Sequence, residues 1–304
     1  MSEYEGFEPG WYPSPWGKDD ELGALHHITP EKTLSALRLV KQGRQIPLGH
    51  TIFLGMPGRA NLHGPFYFWT SQRVYDHRPP LRQPATNKFG AALCRLELSD
   101  HLGTHLDSLN HISYDGKFYN GVDAFEATAP SGSLRLGVDT TPPILTRGVL
   151  VDGTDGSGSP MKKGEPISLD QTQRFLEKHH LTVQPGDAVL FHTGLSSLWF
   201  QTERFNEYYE ASPGVGYDTA RWLAEQKVAL VGADAPSTEV TPAESPGARL
   251  PVHQLLITKH GVRLFDNLKL DELAQAGAYE FLFFASPLRI KGATASPIVP
   301  VAVL

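Results

Sequence analysis

His101-Leu-Gly-Thr-His105-Leu-Asp107-Ser-Leu-Asn-His111 is the stretch on which the reading of this chain turns. Three histidines and an aspartate fall within eleven positions, and these side chains bind zinc or manganese at hydrolytic centres. On a helix, at roughly 100° per residue, His101 and His105 share a face while Asp107 and His111 fall near the opposite one. On an extended chain His101, His105 and Asp107 all point the same way. The flanking residues favour the strand. Cys94, Leu96, Leu98, Leu102 and Leu106 are apolar at even positions, whereas Arg95, Glu97, Ser99, His101, His105 and Asp107 are polar at odd ones. One strand running from Ala92 with one buried face is therefore expected, with Cys94 buried on it as a structural thiol. Gly103, lacking a side chain, is expected to leave room for an ion and its water. Three protein ligands leave coordination positions open, which is the catalytic rather than the structural arrangement.

Outward from this stretch the chain alternates strands and helices. Thr29-Pro30-Glu31 opens a helix, with Thr29 as N-cap and Pro30 in the first turn, expected to end at Gly43. Residues 146–152 and 186–192 read as strands, with a helix capped by Ser168 or Asp170 between them. A helix over 218–226 feeds a strand over 228–231. Residues 252–260 read as helical up to Gly261, followed by a strand over 262–265 and a short helix over 270–276. Residues 57–92 read as loop, with an aromatic cluster Phe66-Tyr67-Phe68-Trp69 that suits either core packing or a substrate-facing lid. Trp11 and Trp16 are open to the same two readings. These elements predict one α/β (α+β) domain over 47–304, preceded by an N-terminal extension with a helix over 1–46.

Composition bounds the function. The 304 residues carry 27 basic and 33 acidic side chains, a net charge of −6 with no Lys/Arg stripe, so nucleic acid is a poor partner. A single cysteine forms no internal disulfide, and no apolar run reaches the roughly 20 residues of a membrane span. With no basic-then-apolar leader at the N-terminus, a cytoplasmic protein acting on a small molecule, without membrane or nucleic acid, is expected. His26-His27 and His179-His180 lack a carboxylate at useful spacing and read as ordinary histidines.

The pattern His101-x-Gly103-Thr104-His105-x-Asp107-x3-His111 resembles the signature of the metal-dependent cyclase-like hydrolases. The resemblance continues through Gly186-Asp187-Ala188-Val189-Leu190 with Thr193-Gly194, and through Gly232-Ala-Asp234-x2-Ser237. It extends to His253 with Leu255-Leu256, Asp266-Asn267-Leu268, and Pro287 to Pro297. It implies a swivelling β/β/α-type fold with a mixed, largely antiparallel sheet. It implies that His101, His105 and Asp107 hold a first divalent ion, zinc or manganese. Asp107 would bridge to a second ion held by His253 and Asp266, giving one or two ions per chain. His111 would be the general acid or base. Leu109 stands where the family commonly has proline, and Asp266, one methylene shorter, where it has glutamate. Homodimers or homotetramers are implied as well.

Such an ion lowers the pKa of bound water to near 7 in favourable sites and polarises a carbonyl. His111, with an ordinary pKa near 6.5, suits proton transfer. Asp234 or Ser237 are candidates to orient a ligand. Phe66, Phe68, Trp69 and Ser237 are candidate substrate contacts. The expected activity is hydrolysis of a C–N or C–O acyl bond in a small cyclic amide or imide, a lactone or an N-formyl aromatic amine. The alternative is a metal-stabilised small-molecule binding protein without turnover.

Overall fold

In the computed structural model the described residues are 6–58, 63–77, 80 and 85–304. Their centre is a nine-stranded mixed sheet. In chain order its strands are β1 (Gln45–Pro47), β4 (His105–Asp107), β7 (Ile144–Asp152), β9 (Ala188–His192), β11 (Leu230–Ala233), β12 (Arg263–Asp266), β13 (Glu280–Ala285), β14 (Ala295–Pro297) and β15 (Val301–Val303). Across the sheet they run β1-β15-β13-β7-β9-β11-β12-β4-β14. The β7, β9, β11 and β12 neighbours are parallel and all the others antiparallel. Outside it lie a hairpin of β2 (Tyr67–Gln72) with β3 (Leu93–Glu97), and two-residue ladders of β5 (Thr128–Ala129) with β6 (Gly132–Ser133) and β8 (Pro166–Ile167) with β10 (Gly214–Val215). The mixed α+β class expected from the element pattern is the class observed.

The parallel strands form because their sequences are apolar on both faces, as a sheet covered on both sides requires. Val149, Val151, Val189 and Phe191 enter one core, and the alternate residues Leu150, Ala188 and Leu190 enter the other. Helices supply the crossovers. Leu169–Lys178, capped by the Ser168 hydroxyl accepting from Gln171 N, buries Thr172, Phe175 and Leu176 between β7 and β9. Tyr217–Glu225 precedes β11. Pro251–His253 continues into a π-helical turn, Gln254–Lys259, before β12. The Pro30–Leu37 helix has Thr29 as its cap, but it ends at Leu37 rather than running on to Gly43. Its Thr33 hydroxyl donates to Leu145 O at 2.9 Å, which ties it to β7.

The single strand expected from Ala92 to Asp107 is not formed. The chain makes β3, turns at residues 100–104, and only then enters β4. The alternation over 93–97 reflects a hairpin strand exposed at every position, so Leu93, Leu96 and Cys94 are exposed and Cys94 is not a core thiol. The aromatic stretch read as loop is in part β2.

The N-terminal segment packs on its own chain. Phe7 stacks on Tyr114 at 4.1 Å, and the Tyr119 hydroxyl donates to Asp20 at 2.6 Å. The buried Arg263 guanidinium donates to the carbonyls of Leu22 at 2.6 Å and Glu21 at 3.2 Å. Trp11 and Trp16 line a separate cavity of about 440 Å³ that contains none of the predicted metal ligands.

Candidate metal centre

The predicted ligands converge from five segments of the chain. His101 comes from the turn before β4, His105 and Asp107 from β4, and His111 from the turn after it. Asp266 ends β12, the antiparallel neighbour of β4, where it lies opposite His105. His253 closes the short helix that leads into the π-helical turn.

Asp107 is the hub. It is fully buried, and neither carboxylate oxygen has a hydrogen-bond donor among the described residues. Its Oδ1 lies 3.5 Å from His101 Nε2 and 3.5 Å from His105 Nε2. Its Oδ2 lies 3.7 Å from His253 Nε2 and 4.0 Å from His111 Nε2. Asp266 Oδ2 completes the ring, 3.8 Å from His105 Nε2 and 3.9 Å from His253 Nε2. These gaps are too long for hydrogen bonds. Donors on a common ion with bonds near 2.1 Å stand roughly 3.4 Å apart in a tetrahedral set. A buried carboxylate with no donor is costly unless a cation meets it. The donor set therefore fits a divalent ion, and two overlapping trios share Asp107: His101–Asp107–His111 and His105–Asp107–Asp266. His111 thus stands among the donors as well as beside them, its Nδ1 2.9 Å from His101 Nε2.

His101, His105, His253 and Asp266 are each held from behind. His101 Nδ1 contacts Asp100 Oδ1 at 2.8 Å, and Asp100 Oδ2 accepts from Thr294 N, Thr294 Oγ1 and Ala295 N. His105 Nδ1 contacts Gly103 O at 2.8 Å. His253 Nδ1 contacts Glu239 Oε1 at 2.5 Å, and Glu239 also accepts from the Val252 and His253 amides. Asp266 Oδ1 accepts from Thr238 N at 2.7 Å and Thr238 Oγ1 at 2.8 Å, so the shorter acid still brings its other oxygen into the cluster. Backing partners of this kind fix ring orientation and strengthen the ligand.

Gly103 is needed for a different reason than the space expected of it. Its φ is +72°, and a Cβ would meet Ile52 Cγ1 at 3.4 Å, so the position serves the turn and presents its carbonyl to His105. The orienting residues missed in the sequence are Asp100, Thr238 and Glu239; adjacency to His101 was the one available signal for Asp100. Of the two candidates named for that task, Asp234 instead accepts from Thr193 and Gly194. Ser237 is buried beside Thr238, with no partner for its hydroxyl among the described residues.

Electrostatics follow the packing. Burial pushes His111 down to about 4, against the pull of Asp107, and neighbouring imidazoles add to the fall. Burial opposes charge on His101 too, but Asp100 and Asp107 raise it overall. His253 is raised well above its ordinary value by Asp266 and Glu239 despite complete burial. Burial likewise opposes ionisation of Asp266, yet His253, His105 and Thr238 hold it below the usual carboxylate range.

Beside the cluster opens an apolar cleft of about 560 Å³, lined by Ile52, Phe53, Leu54, Phe66, Phe68, Leu96, Leu98, Leu288 and Pro297. Pro297 is the cross-strand partner of His105, so one wall of the cleft stands a strand away from the donors, although none of the predicted ligands lines it. Phe66 and Phe68 line it. Trp69 does not, since successive residues of β2 point to opposite faces.

A cluster of imidazoles and carboxylates around one unpartnered acid, beside an apolar cleft, defines a metal-dependent hydrolase scaffold. The chain belongs to the cyclase family: the family described as "Putative cyclase" matches residues 29–240. Its relatives include the kynurenine formamidase of Bacillus thuringiensis subsp. konkukian, 27% identical over 207 residues, covering 67% of this chain and 76% of that protein. A crystal structure described as a novel cyclase has a TM-score of 0.84 at 31% identity, covering 95% of this chain and 98% of that one. Isatin hydrolase A from Ralstonia solanacearum shares the fold, with a TM-score of 0.65 at 19% identity, covering 85% of this chain and 91% of that one. The family match ends before His253 and Asp266, whose place in the cluster rests on geometry alone.

Among the described residues no helix is long and apolar enough to cross a membrane.

Proposed function

We propose that this chain hydrolyses the C–N acyl bond of a small, flat amide, either a cyclic amide or imide or an N-formyl aromatic amine. The observation that carries the reading is Asp107, a fully buried carboxylate whose two undonated oxygens face two sets of imidazoles. In this reading His101, His105 and Asp107 Oδ1 hold one divalent ion, zinc or manganese. Asp107 Oδ2, His253 and Asp266 hold a second. An ion so held supplies a Lewis acid for the carbonyl and an acidified water at neutral pH.

The residues do the remainder. Asp100, Gly103 O, Glu239 and Thr238 fix the ligands, so that the site is organised before substrate arrives. His111, with a quarter of its side chain open to solvent, is the group on the rim of the cluster. Burial and the neighbouring imidazoles hold its ring neutral at neutral pH, which leaves a nitrogen lone pair available to take a proton and pass it to the leaving nitrogen. Phe66 and Phe68 offer ring faces to a planar substrate, and the cleft is within the usual size for small-molecule sites. Amide chemistry is favoured over lactone chemistry because the curated relatives carry the name kynurenine formamidase. A homodimer or homotetramer, acting in the cytoplasm, belongs to the same proposal.

The test is a panel of N-formyl anilines, cyclic imides and lactones, incubated with the purified chain before and after chelation. Turnover of amides that chelator abolishes and added zinc or manganese restores is the expected result. Tight binding of these compounds without product, in metal-replete protein, would replace the hydrolase with a binding protein.

A further inference from the structure

A second trio of histidine and carboxylate donors lies apart from the first and takes no part in it. It lies at the C-terminal ends of the parallel strands, where open α/β sheets place their ligands. His192 ends β9, Asp152 ends β7, Asp234 follows β11, and Asp271 opens the Asp271–Gln275 helix. His192 Nε2 stands 3.6 Å from Asp271 Oδ1 and 3.8 Å from Asp234 Oδ2. The imidazole is 2% exposed, and Nε2 has no hydrogen-bond partner among the described residues.

Every atom of this trio not facing the gap is engaged. His192 Nδ1 contacts Asp152 Oδ1 at 2.9 Å, which fixes the ring. Asp234 Oδ1 accepts from Thr193 N at 2.6 Å and Thr193 Oγ1 at 2.7 Å. Asp234 Oδ2 accepts from Gly194 N at 3.0 Å and keeps a lone pair for the gap. Asp271 Oδ2 accepts from the Ser196 hydroxyl. A carboxylate behind the imidazole and donors behind each acid make up the support that metal ligands carry.

A proton on Nε2 explains the gap less well. An N–H bond would draw one carboxylate oxygen to about 2.7–3.2 Å. Both stay beyond that range, at separations matching the 3.5–4.0 Å found around Asp107. Charge points the same way. Even with the ring protonated, three carboxylates (−3) and one imidazolium (+1) leave −2. Among the described residues no lysine or arginine pairs with Asp152, Asp234 or Asp271.

We propose that His192 Nε2, Asp234 Oδ2 and Asp271 Oδ1 form a second, separate binding site for a divalent cation of the zinc or manganese type. The cation joins the ends of β9 and β11 to the helix that follows β12. One nitrogen and two oxygen donors suit a borderline cation rather than calcium, which takes six to eight oxygens.

Ion counting tests it without reference to turnover. The full chain is dialysed against zinc, and separately manganese, and ions per chain are measured for wild type, Asp271→Asn, His105→Ala and the double variant. Asp271→Asn is expected to hold one ion fewer than wild type, and the double variant one fewer than His105→Ala. Equal counts with and without Asp271→Asn, in chains that melt cooperatively, overturn the site. Should the variant fail to fold, nitrogen-15 spectra of histidine-labelled wild type decide. His192 Nε2 without a proton and shifted by added zinc supports the site, and a protonated Nε2 in zinc-saturated protein overturns it. Loss of the amidase reading leaves these counts unaffected.

Discussion

At the residue scale, His111 and Glu239 separate two ways of serving the centre. His111 stands on the rim, so His111→Ala is expected to lower kcat by roughly a hundred- to ten-thousand-fold with ions per chain little changed. Loss of an ion with an unchanged residual rate would make His111 a ligand and nothing more, which its place in a donor trio makes a real contest. Glu239 reaches the centre only through His253, 2.5 Å from its Nδ1. Glu239→Gln is therefore expected to weaken ion binding about 10- to 100-fold, read by competition with a chromogenic chelator, while leaving the affinity for amide inhibitors of the loaded protein near wild type. The donors themselves were legible in the sequence because His101, His105, Asp107 and His111 crowd into eleven positions. Glu239 and Thr238 were not. They lie more than 120 residues away, and a threonine and a glutamate in a turn carry no periodic or compositional mark.

Among the elements, the N-terminal segment offers a prediction with a definite sign. Asp20 accepts from Tyr119, Leu22 N and Gly23 N, and contacts His26 Nε2 at 2.9 Å. Burial raises its carboxyl, but these partners outweigh it and leave the folded-state pKa below the ordinary value. A depressed carboxylate contributes stability above its unfolded pKa and loses it as pH falls through the folded one. Asp20→Asn is therefore expected to cost on the order of 1–3 kcal/mol at neutral pH. That difference should shrink steadily below about pH 4 in paired melting curves. A difference unchanged down to pH 2 would mean that the ionised form is not what the segment uses.

The element scale also shows where pattern reading stopped. Helices with a named cap, at Thr29 and Ser168, were found at their starts because a side-chain acceptor marks them. The stretch 92–107 misled because a period of two says strand without saying which strand. An exposed hairpin arm and a buried ladder share that period here, and the turn at 100–104 that divides them carries a single glycine.

For the whole molecule, ions that bind the folded chain and not the unfolded one must stabilise it. At a free concentration a hundred times Kd, each site contributes about 2.7 kcal/mol. Exhaustive chelation is expected to lower Tm by several degrees, and restoring zinc or manganese to recover it; an unmoved transition would argue against every cation site described above. The β2–β3 hairpin carries Tyr67, Phe68, Trp69, Leu93 and Leu96 exposed, and a two-stranded arm is marginal alone. Sedimentation is expected to show a dimer or tetramer that Leu96→Ser weakens, and a monomer at micromolar concentration would remove that expectation.

Asp107 offers one oxygen to each side of its cluster, and this has a bearing on how the protein would respond to scarcity. Occupying one side repositions and partly neutralises the very group the other side depends on, so the two affinities are thermodynamically linked. A titration should not resolve into two independent isotherms. Because the first ion spends part of that shared charge, the second is held less tightly, and the chain would pass from empty to loaded over a broad band of ion activity with half-filled copies well populated in between.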